Sequence, residues 1–168
     1  LVKVSAWCSI SPLRTLESIS VHIFCKPSLD EPPIVLCLWS NKPRSTWAIF
    51  DVLTFTLATG EDEFLDAGKN TLEGIKLVKE RFPNSFTTLG LSNISFGLVP
   101  QARRILNSVF LYHAVQAGLD SAIVNAREIT PYTEINEKEK KMVEDLIFNK
   151  SPNALSELIS HFENASQD

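Results

Sequence analysis

The most informative segment of this chain is Thr87-Thr-Leu-Gly-Leu-Ser-Asn93, a short, mostly apolar run that ends on a polar amide. Two further runs share the pattern: Trp47-Ala-Ile-Phe-Asp51 ends on a carboxylate, and Ser121-Ala-Ile-Val-Asn125 ends on an amide. A helix-length segment separates each run from the next. Alternating strands and helices are typical of a parallel α/β sheet, whose ligands bind at the carboxyl ends of the strands. The pattern therefore predicts a site for a polar, flat, neutral or weakly charged ligand at that edge.

The composition is that of a globular chain. Its 168 residues are 44% apolar and 21% charged, and no apolar run approaches the roughly 20 residues that span a bilayer. The net charge of −4 gives no indication of a nucleic-acid or anionic-membrane partner. Polar residues interrupt the N-terminal segment, so it does not resemble a signal peptide. We therefore expect a cytoplasmic protein with no nucleic-acid partner and no membrane partner.

The sequence does not predict a metal site or a familiar catalytic motif. The cysteines Cys8, Cys25 and Cys37 lack the close spacing of zinc and redox motifs. They are most simply buried or incidental thiols. There is no Ser/His/Asp set, no phosphate-binding loop and no dinucleotide fingerprint. We expect no metal in this chain.

The composition changes near residue 45. Residues 1–45 hold five of the nine prolines and all three cysteines. Except for residues 34–39, which could form a strand, they show neither helical nor strand periodicity, so we treat them as an atypical or disordered segment. Residues 46–135 are predicted to form the α/β unit. Residues 136–168 are predicted to form closing helices outside that unit.

Helix signals in the second part are clear. Apolar residues recur at helical spacing, prolines and a glycine mark helix ends, and Asn136-x-x-Glu139 resembles a capping box. The predicted helices run from Asp62 to Phe82, from Pro100 to Gly118, from Asn136 onward and from Ser151-Pro152 onward. Because no strand separates the last two, they are expected to form a helical appendage.

Asp51 and Asn93 are the leading candidates for ligand contacts. A carboxylate at the end of a strand can accept two parallel N–H bonds from an amidine-like edge, such as that of a 2-aminopyrimidinone ring. The Asn93 amide offers both a donor and an acceptor, and the nearby Gly90 permits close backbone approach. The structural alternatives are a helix or turn cap for Asp51 and an Asx-turn for Asn93.

Asn125 and Arg103 are weaker candidates. A cap before Glu128 explains Asn125 as well as a ligand contact does. Either Arg103 or Arg104 must face outward, and an arginine beside the site could bind a carboxylate tail. A solvated surface role explains these arginines equally well.

Several motifs of the chain resemble the pterin-binding domain of cobalamin-dependent methionine synthase. The resemblance covers roughly residues 46–165. The run around Asn93 is shared with related corrinoid methyltransferases. The motifs are Asp51, Leu53-Thr-Phe-Thr-Leu-Ala-Thr-Gly60, Thr71-Leu-Glu-Gly-Ile75, Leu91-Ser-Asn-Ile-Ser-Phe-Gly97, Ala102-Arg-Arg-Ile-Leu-Asn-Ser-Val-Phe-Leu111, Ala122-Ile-Val-Asn-Ala126 and Glu144-Asp-Leu-Ile-Phe-Asn149.

The resemblance implies a fold, a substrate and roles for the candidate residues. It implies the C-terminal part of a (β/α)₈ TIM-type barrel, followed by two helices. Such a domain binds 5-methyltetrahydrofolate and presents its methyl group to cob(I)alamin, which another module of the enzyme holds. Asp51 would then bind the pterin, Asn93 would act near N5 as the catalytic residue, and Arg103 and Asn125 would contribute folate contacts. The closing helices would lead toward the cobalamin module.

Two alternatives to an intact methyltransferase remain. The first half of the barrel, the homocysteine module and the cobalamin module are not found in this sequence, so we expect a fragment that is inactive alone. It could also be a non-catalytic remnant with no folate affinity. A dihydropteroate synthase is less favoured, because the lysine and the Arg-x-His motif typical of that family are missing here.

Overall fold

The computed structural model describes residues 18–22, 36–40 and 49–164, and the strands in these segments form one sheet. Their order across the sheet follows the chain, from β1 to β5. The expectations for the rest of residues 1–45 lie outside the described residues. The strands are β1 (Ser18–His22), β2 (Leu36–Ser40), β3 (Ile49–Asp51), β4 (Phe86–Gly90) and β5 (Ser121–Ile123).

The three strands predicted from the apolar runs are parallel neighbours. β4 lies between β3 and β5, with Phe50 opposite Thr87 and Leu89 opposite Ala122. Helix α1 (Ala67–Arg81) connects β3 to β4, and helix α2 (Pro100–Ala117) connects β4 to β5. The two helices contact each other, so both lie on the same face of the sheet. A parallel sheet with its helices on one face is the arrangement of a (β/α)₈ barrel, so the predicted partial barrel is confirmed.

The first two strands depart from the barrel pattern. β1 and β2 are antiparallel, and β2 runs antiparallel to β3, with Leu36 opposite Asp51. β2 overlaps residues 34–39, for which the sequence allowed a strand. A (β/α)₈ barrel contains parallel strands only. The barrel-like part of the described sheet therefore begins at β3.

Helix α1 begins later than the sequence predicts. A 3₁₀ turn occupies Asp62–Phe64, and the α-helix starts at Ala67. Phe64 stacks on Phe55 of the preceding connection, with ring centroids 5.2 Å apart. This contact packs the turn against that connection. Helical periodicity alone could not distinguish the turn from the helix.

The ends of the next two helices agree with the sequence signals. Pro100 is the first residue of α2, and Gly118 follows its last residue in a left-handed conformation with φ 105°. Helix α3 (Glu137–Ile147) starts after Asn136, whose side chain accepts a hydrogen bond from the backbone N–H of Lys138. Capping residues and glycines act locally, because they provide hydrogen bonds or backbone conformations that end a helix within a few residues.

The last two helices pack onto the α/β unit. Helix α4 (Ala154–Asn164) follows α3 without an intervening strand, and both contact α2. Val143, Ile147 and Leu158 are fully buried in the same apolar cluster as Leu106 and Phe110 of α2. The sequence predicted a helical appendage, but these helices share the core of the sheet and α2. The proposed boundary at residue 135 stays a prediction.

A polar cluster links α2, α3 and the turn before α3. Glu144 Oε1 accepts a hydrogen bond from the Tyr132 hydroxyl at 2.8 Å and lies 3.0 Å from Nε2 of His113. Tyr132 also stacks on Tyr112, with centroids 3.9 Å apart. The hydrogen bond to Glu144, together with partial burial, raises the pKa of Tyr132 to about 12.

Asp120 joins the amino ends of β4 and β5. Its Oδ2 accepts hydrogen bonds from the backbone N–H of Thr87 at 2.8 Å, the Thr87 hydroxyl at 3.0 Å and Lys79 Nζ at 3.0 Å. Burial by itself would raise the pKa of Asp120, but these bonds and the lysine charge lower it overall. The amino end of a barrel sheet contributes mainly to stability, while ligands bind at the opposite edge.

Candidate functional site at the carboxyl edge of the sheet

The carboxyl ends of β3, β4 and β5 lie along one edge of the sheet. The parallel pairing places Asp51 opposite Thr88 and Gly90 opposite Ile123. Asp51 is the last residue of β3, while Asn93 and Asn125 follow the ends of β4 and β5. The connections from β3, β4 and β5 to helices α1, α2 and α3 leave from this edge, so their side chains can surround a ligand there.

Asp51 carries an unusual carboxylate. The residue is half-buried, and its Oδ1 is covered without a hydrogen-bond partner among the described residues. Burial raises the pKa of Asp51, because removal from water penalises the charged form. A cap role, the structural alternative, would pair this oxygen with a nearby backbone N–H, and none is found within the described part of the chain. A buried acceptor without a partner is rare and indicates an absent ligand or strain.

Asn93 lies in the turn that follows β4. This 3₁₀ turn spans Leu91–Ser95, and Leu91 and Ile94 anchor it because both are completely buried. Asn93 itself is exposed, and no hydrogen bond of its side chain is found within residues 49–164. A Cβ atom placed on Gly90 would lie 3.4 Å from Asn93 Nδ2, so the glycine leaves the amide room over the strand end. The amide is thus available to a ligand.

Arg103 reaches back to the same turn. Its Nε donates a hydrogen bond to Ser95 Oγ at 3.3 Å, and the side chain is half-buried. Arg104 is exposed, and its Nε donates to Thr130 Oγ1 at 2.9 Å. The two arginines therefore diverge as helical periodicity predicts, and Arg103 is the one that lies beside the turn of Asn93.

Asn125 is occupied by its own turn. Its Oδ1 accepts a hydrogen bond from the backbone N–H of Arg127 at 3.2 Å, and its Nδ2 donates to Glu128 Oε1 at 2.7 Å. This is the cap that the sequence left as an equal alternative. A ligand would have to compete with both bonds.

Sequence reasoning did not single out Thr56 and Phe96, which connect two loops at this edge. The Thr56 hydroxyl donates a 2.6 Å hydrogen bond to the carbonyl of Phe96, and Leu57 N–H donates to the carbonyl of Ile94 at 3.0 Å. Both residues lie in motifs that carry the family resemblance. Only the pairing across forty positions shows that Thr56 supports the turn after β4.

The described segments contain neither a metal-binding group of side chains nor a helix that could span a membrane. No three His, Cys, Asp or Glu side chains come together there as a metal-binding group. In the same residues, each helix is too short or too polar to cross a bilayer.

Comparison with known proteins agrees with the fold. Residues 44–125 match the family model described as pterin binding enzyme. Over 121 residues, 70% of this chain, the sequence is 48% identical to methionine synthase of Mycobacterium tuberculosis (strain ATCC 25618 / H37Rv). It is 47% identical over 116 residues, 66% of the chain, to methionine synthase of Mycobacterium leprae (strain TN). The matched region spans only 10% of the length of either relative. The chain therefore carries part of a pterin-binding domain of the methionine synthase family.

Proposed function

We propose that this chain binds 5-methyltetrahydrofolate at the carboxyl edge of its sheet and presents the N5-methyl group to cob(I)alamin. The cobalamin would be held by another module of the parent enzyme, and a homocysteine-binding module would complete methionine synthesis. The observation that carries the proposal is the covered Oδ1 of Asp51, which has no partner within the described segments. It lies on the same edge as the exposed amide of Asn93. A cytoplasmic location stays a prediction.

Asp51 would bind the pyrimidine edge of the pterin. That edge presents an exocyclic amino group and a ring N–H side by side, and a carboxylate can accept both in parallel. The ligand would thereby satisfy the acceptor that has no partner among the described residues. Hydrogen bonds to a charged group typically contribute about 1.5–3 kcal/mol each. Asp51 is therefore the residue to which we assign most of the pterin affinity.

Asn93 would act near N5, where the chemistry occurs. The cob(I)alamin of the other module would supply the nucleophile that takes the methyl group, and the electron pair of the N5–methyl bond would stay on N5. A tertiary amine leaves poorly until N5 is protonated. An amide has both a donor and an acceptor, so it can hydrogen-bond N5 before and after that protonation. Interactions that strengthen in the transition state accelerate the reaction.

Arg103 and Asn125 would contribute less. The Nε of Arg103 is bound to Ser95, which directs the guanidinium toward the turn of Asn93 and leaves its terminal nitrogens for a folate oxygen or carboxylate. Asn125 would have to release its two cap bonds before it contacts the ligand. We therefore expect removal of the Asn125 side chain to weaken binding less than removal of the Asn93 side chain.

The test is equilibrium binding of 5-methyltetrahydrofolate to the 168-residue chain and to two matched variants, Asn93→Ala and Asn125→Ala. Circular dichroism establishes that each protein is folded. We expect saturable binding by the native chain, weaker binding by Asn93→Ala, and a smaller loss in Asn125→Ala. Folded native protein that does not bind would contradict the proposal and support the alternative of a remnant without folate affinity.

A further inference from the structure

Phe96 is an exposed aromatic ring on the edge that carries the candidate site. It is 69% exposed, more than any other aromatic side chain in residues 49–163. It lies in the connection between β4 and α2, three positions after Asn93. A contact that removes a large apolar side chain from water is favourable, so a ring at this edge is available to an apolar part of a ligand.

The backbone of Phe96 is held on both sides. Its N–H donates to the carbonyl of Asn93 at 3.2 Å, and its carbonyl accepts the 2.6 Å hydrogen bond from Thr56. The next residue, Gly97, has φ 97°, a conformation that L-residues rarely adopt. The turn that contains Asn93 therefore also fixes the backbone position of Phe96. A backbone held in this way loses little conformational entropy when the residue binds a ligand.

The chemistry of folate identifies what would meet this ring. The side arm of the folate leaves the pterin at C6, the atom next to N5, and carries the p-aminobenzoyl ring. If Asn93 lies at N5, the arm passes along the same turn, where Phe96 follows. Aromatic rings attract each other in stacked and edge-to-face arrangements beyond the effect of burial.

We propose that Phe96 packs against the p-aminobenzoyl ring of the bound folate and so makes the site prefer a complete folate to a bare pterin. The inference rests on the proposed function and adds a specificity-determining residue to it. Its effect is confined to the side arm, because Asp51 and Asn93 are assigned to the pterin. Truncation of the ring should weaken folate binding about tenfold.

The experiment is a titration calorimetry series with two ligands, 5-methyltetrahydrofolate and 5,6-dimethyltetrahydropterin, which lacks the p-aminobenzoylglutamate arm. The proteins are the native chain, Phe96→Ala, Phe96→Tyr and the control Val115→Ala, which shortens a 53% exposed side chain on α2. We expect Phe96→Ala to lose about tenfold in folate affinity with unchanged pterin affinity. Phe96→Tyr keeps the ring and Val115→Ala leaves the edge intact, so both should behave like the native chain.

Each outcome has one meaning. Equal weakening for both ligands, or no weakening for folate in Phe96→Ala, overturns the assignment of Phe96 and leaves the proposed function standing. Unchanged folate affinity in Phe96→Ala would instead favour a protein surface of another module as the partner of Phe96. A native chain that binds neither ligand overturns the proposed function and this inference together. Circular dichroism of Phe96→Ala, whose lost side chain is exposed, checks that the variant is folded.

Discussion

Replacement of Asp51 by asparagine should stabilise the fold and weaken folate binding. The native carboxylate is half-buried, its Oδ1 has no partner among the described residues, and burial raises its pKa. Asparagine has nearly the same shape but no charge to desolvate. The variant therefore removes the cost of the charge and also removes the charged acceptor that we assign to the pterin.

The structure sets the expected size of both effects. An unsatisfied buried polar group costs about 1–3 kcal/mol and more when it is charged. Asparagine removes only the charge, and the half-burial of Asp51 places that difference at about 1 kcal/mol. For a chain of this size, that gain corresponds to a Tm about 3 °C higher. Loss of a charge-assisted hydrogen bond worth about 1.5–3 kcal/mol should weaken folate binding by about 10- to 150-fold.

The stability gain should depend on pH in a definite direction. Because the pKa of Asp51 is raised in the folded state, the unfolded chain loses its proton first as the pH rises past 3.8. The native fold therefore loses stability between that pH and the raised pKa, whereas Asp51→Asn does not. Urea unfolding of both proteins from pH 4 to pH 7 should show a difference that grows with pH and then levels off.

A control variant separates this effect from a general change of charge. Asp62→Asn removes an exposed carboxylate at the same end of the molecule, and it should change neither stability nor binding. If Asp51→Asn is less stable than the native chain at neutral pH, the carboxylate has a partner and our interpretation of the edge is wrong. If the variant binds folate as tightly as the native chain, Asp51 does not hold the pterin.

Two further predictions concern the polar contacts that support the sheet. Asp120→Asn should lower the free energy of unfolding at pH 7 by about 1–2 kcal/mol, since the carboxylate accepts hydrogen bonds from Thr87 and Lys79. Because the pKa of Asp120 is lowered, this difference should shrink in urea titrations as the pH falls below 3.8; a difference independent of pH would contradict the assignment. In an alkaline absorbance titration of the native chain, Tyr132 should ionise near pH 12, and in Glu144→Gln its transition should move toward 10; no movement would show that Glu144 does not hold the hydroxyl.

Local signals in the sequence were sufficient for much of the fold. The three apolar runs form parallel neighbouring strands, Pro100 and Gly118 limit α2, and the side chain of Asn136 caps α3. Each of these features depends on residues within a few positions of one another, through strand length, proline and glycine geometry, or capping. The partial barrel followed from the order of these elements together with the resemblance in the motifs.

The tertiary structure decided what depends on contacts between distant residues. Phe64, in the turn before α1, packs on Phe55, and Val143 of α3 is buried in the core beside α2. The hydrogen bonds of each candidate side chain also depend on the tertiary structure. The sequence placed Asp51 and Asn125 equally at strand ends. In the fold, an oxygen of Asp51 has no partner among the described residues, whereas the amide of Asn125 is hydrogen-bonded in a cap. Local patterns determine where a polar side chain stands along the chain, whereas its neighbours in space determine whether it is available to a ligand.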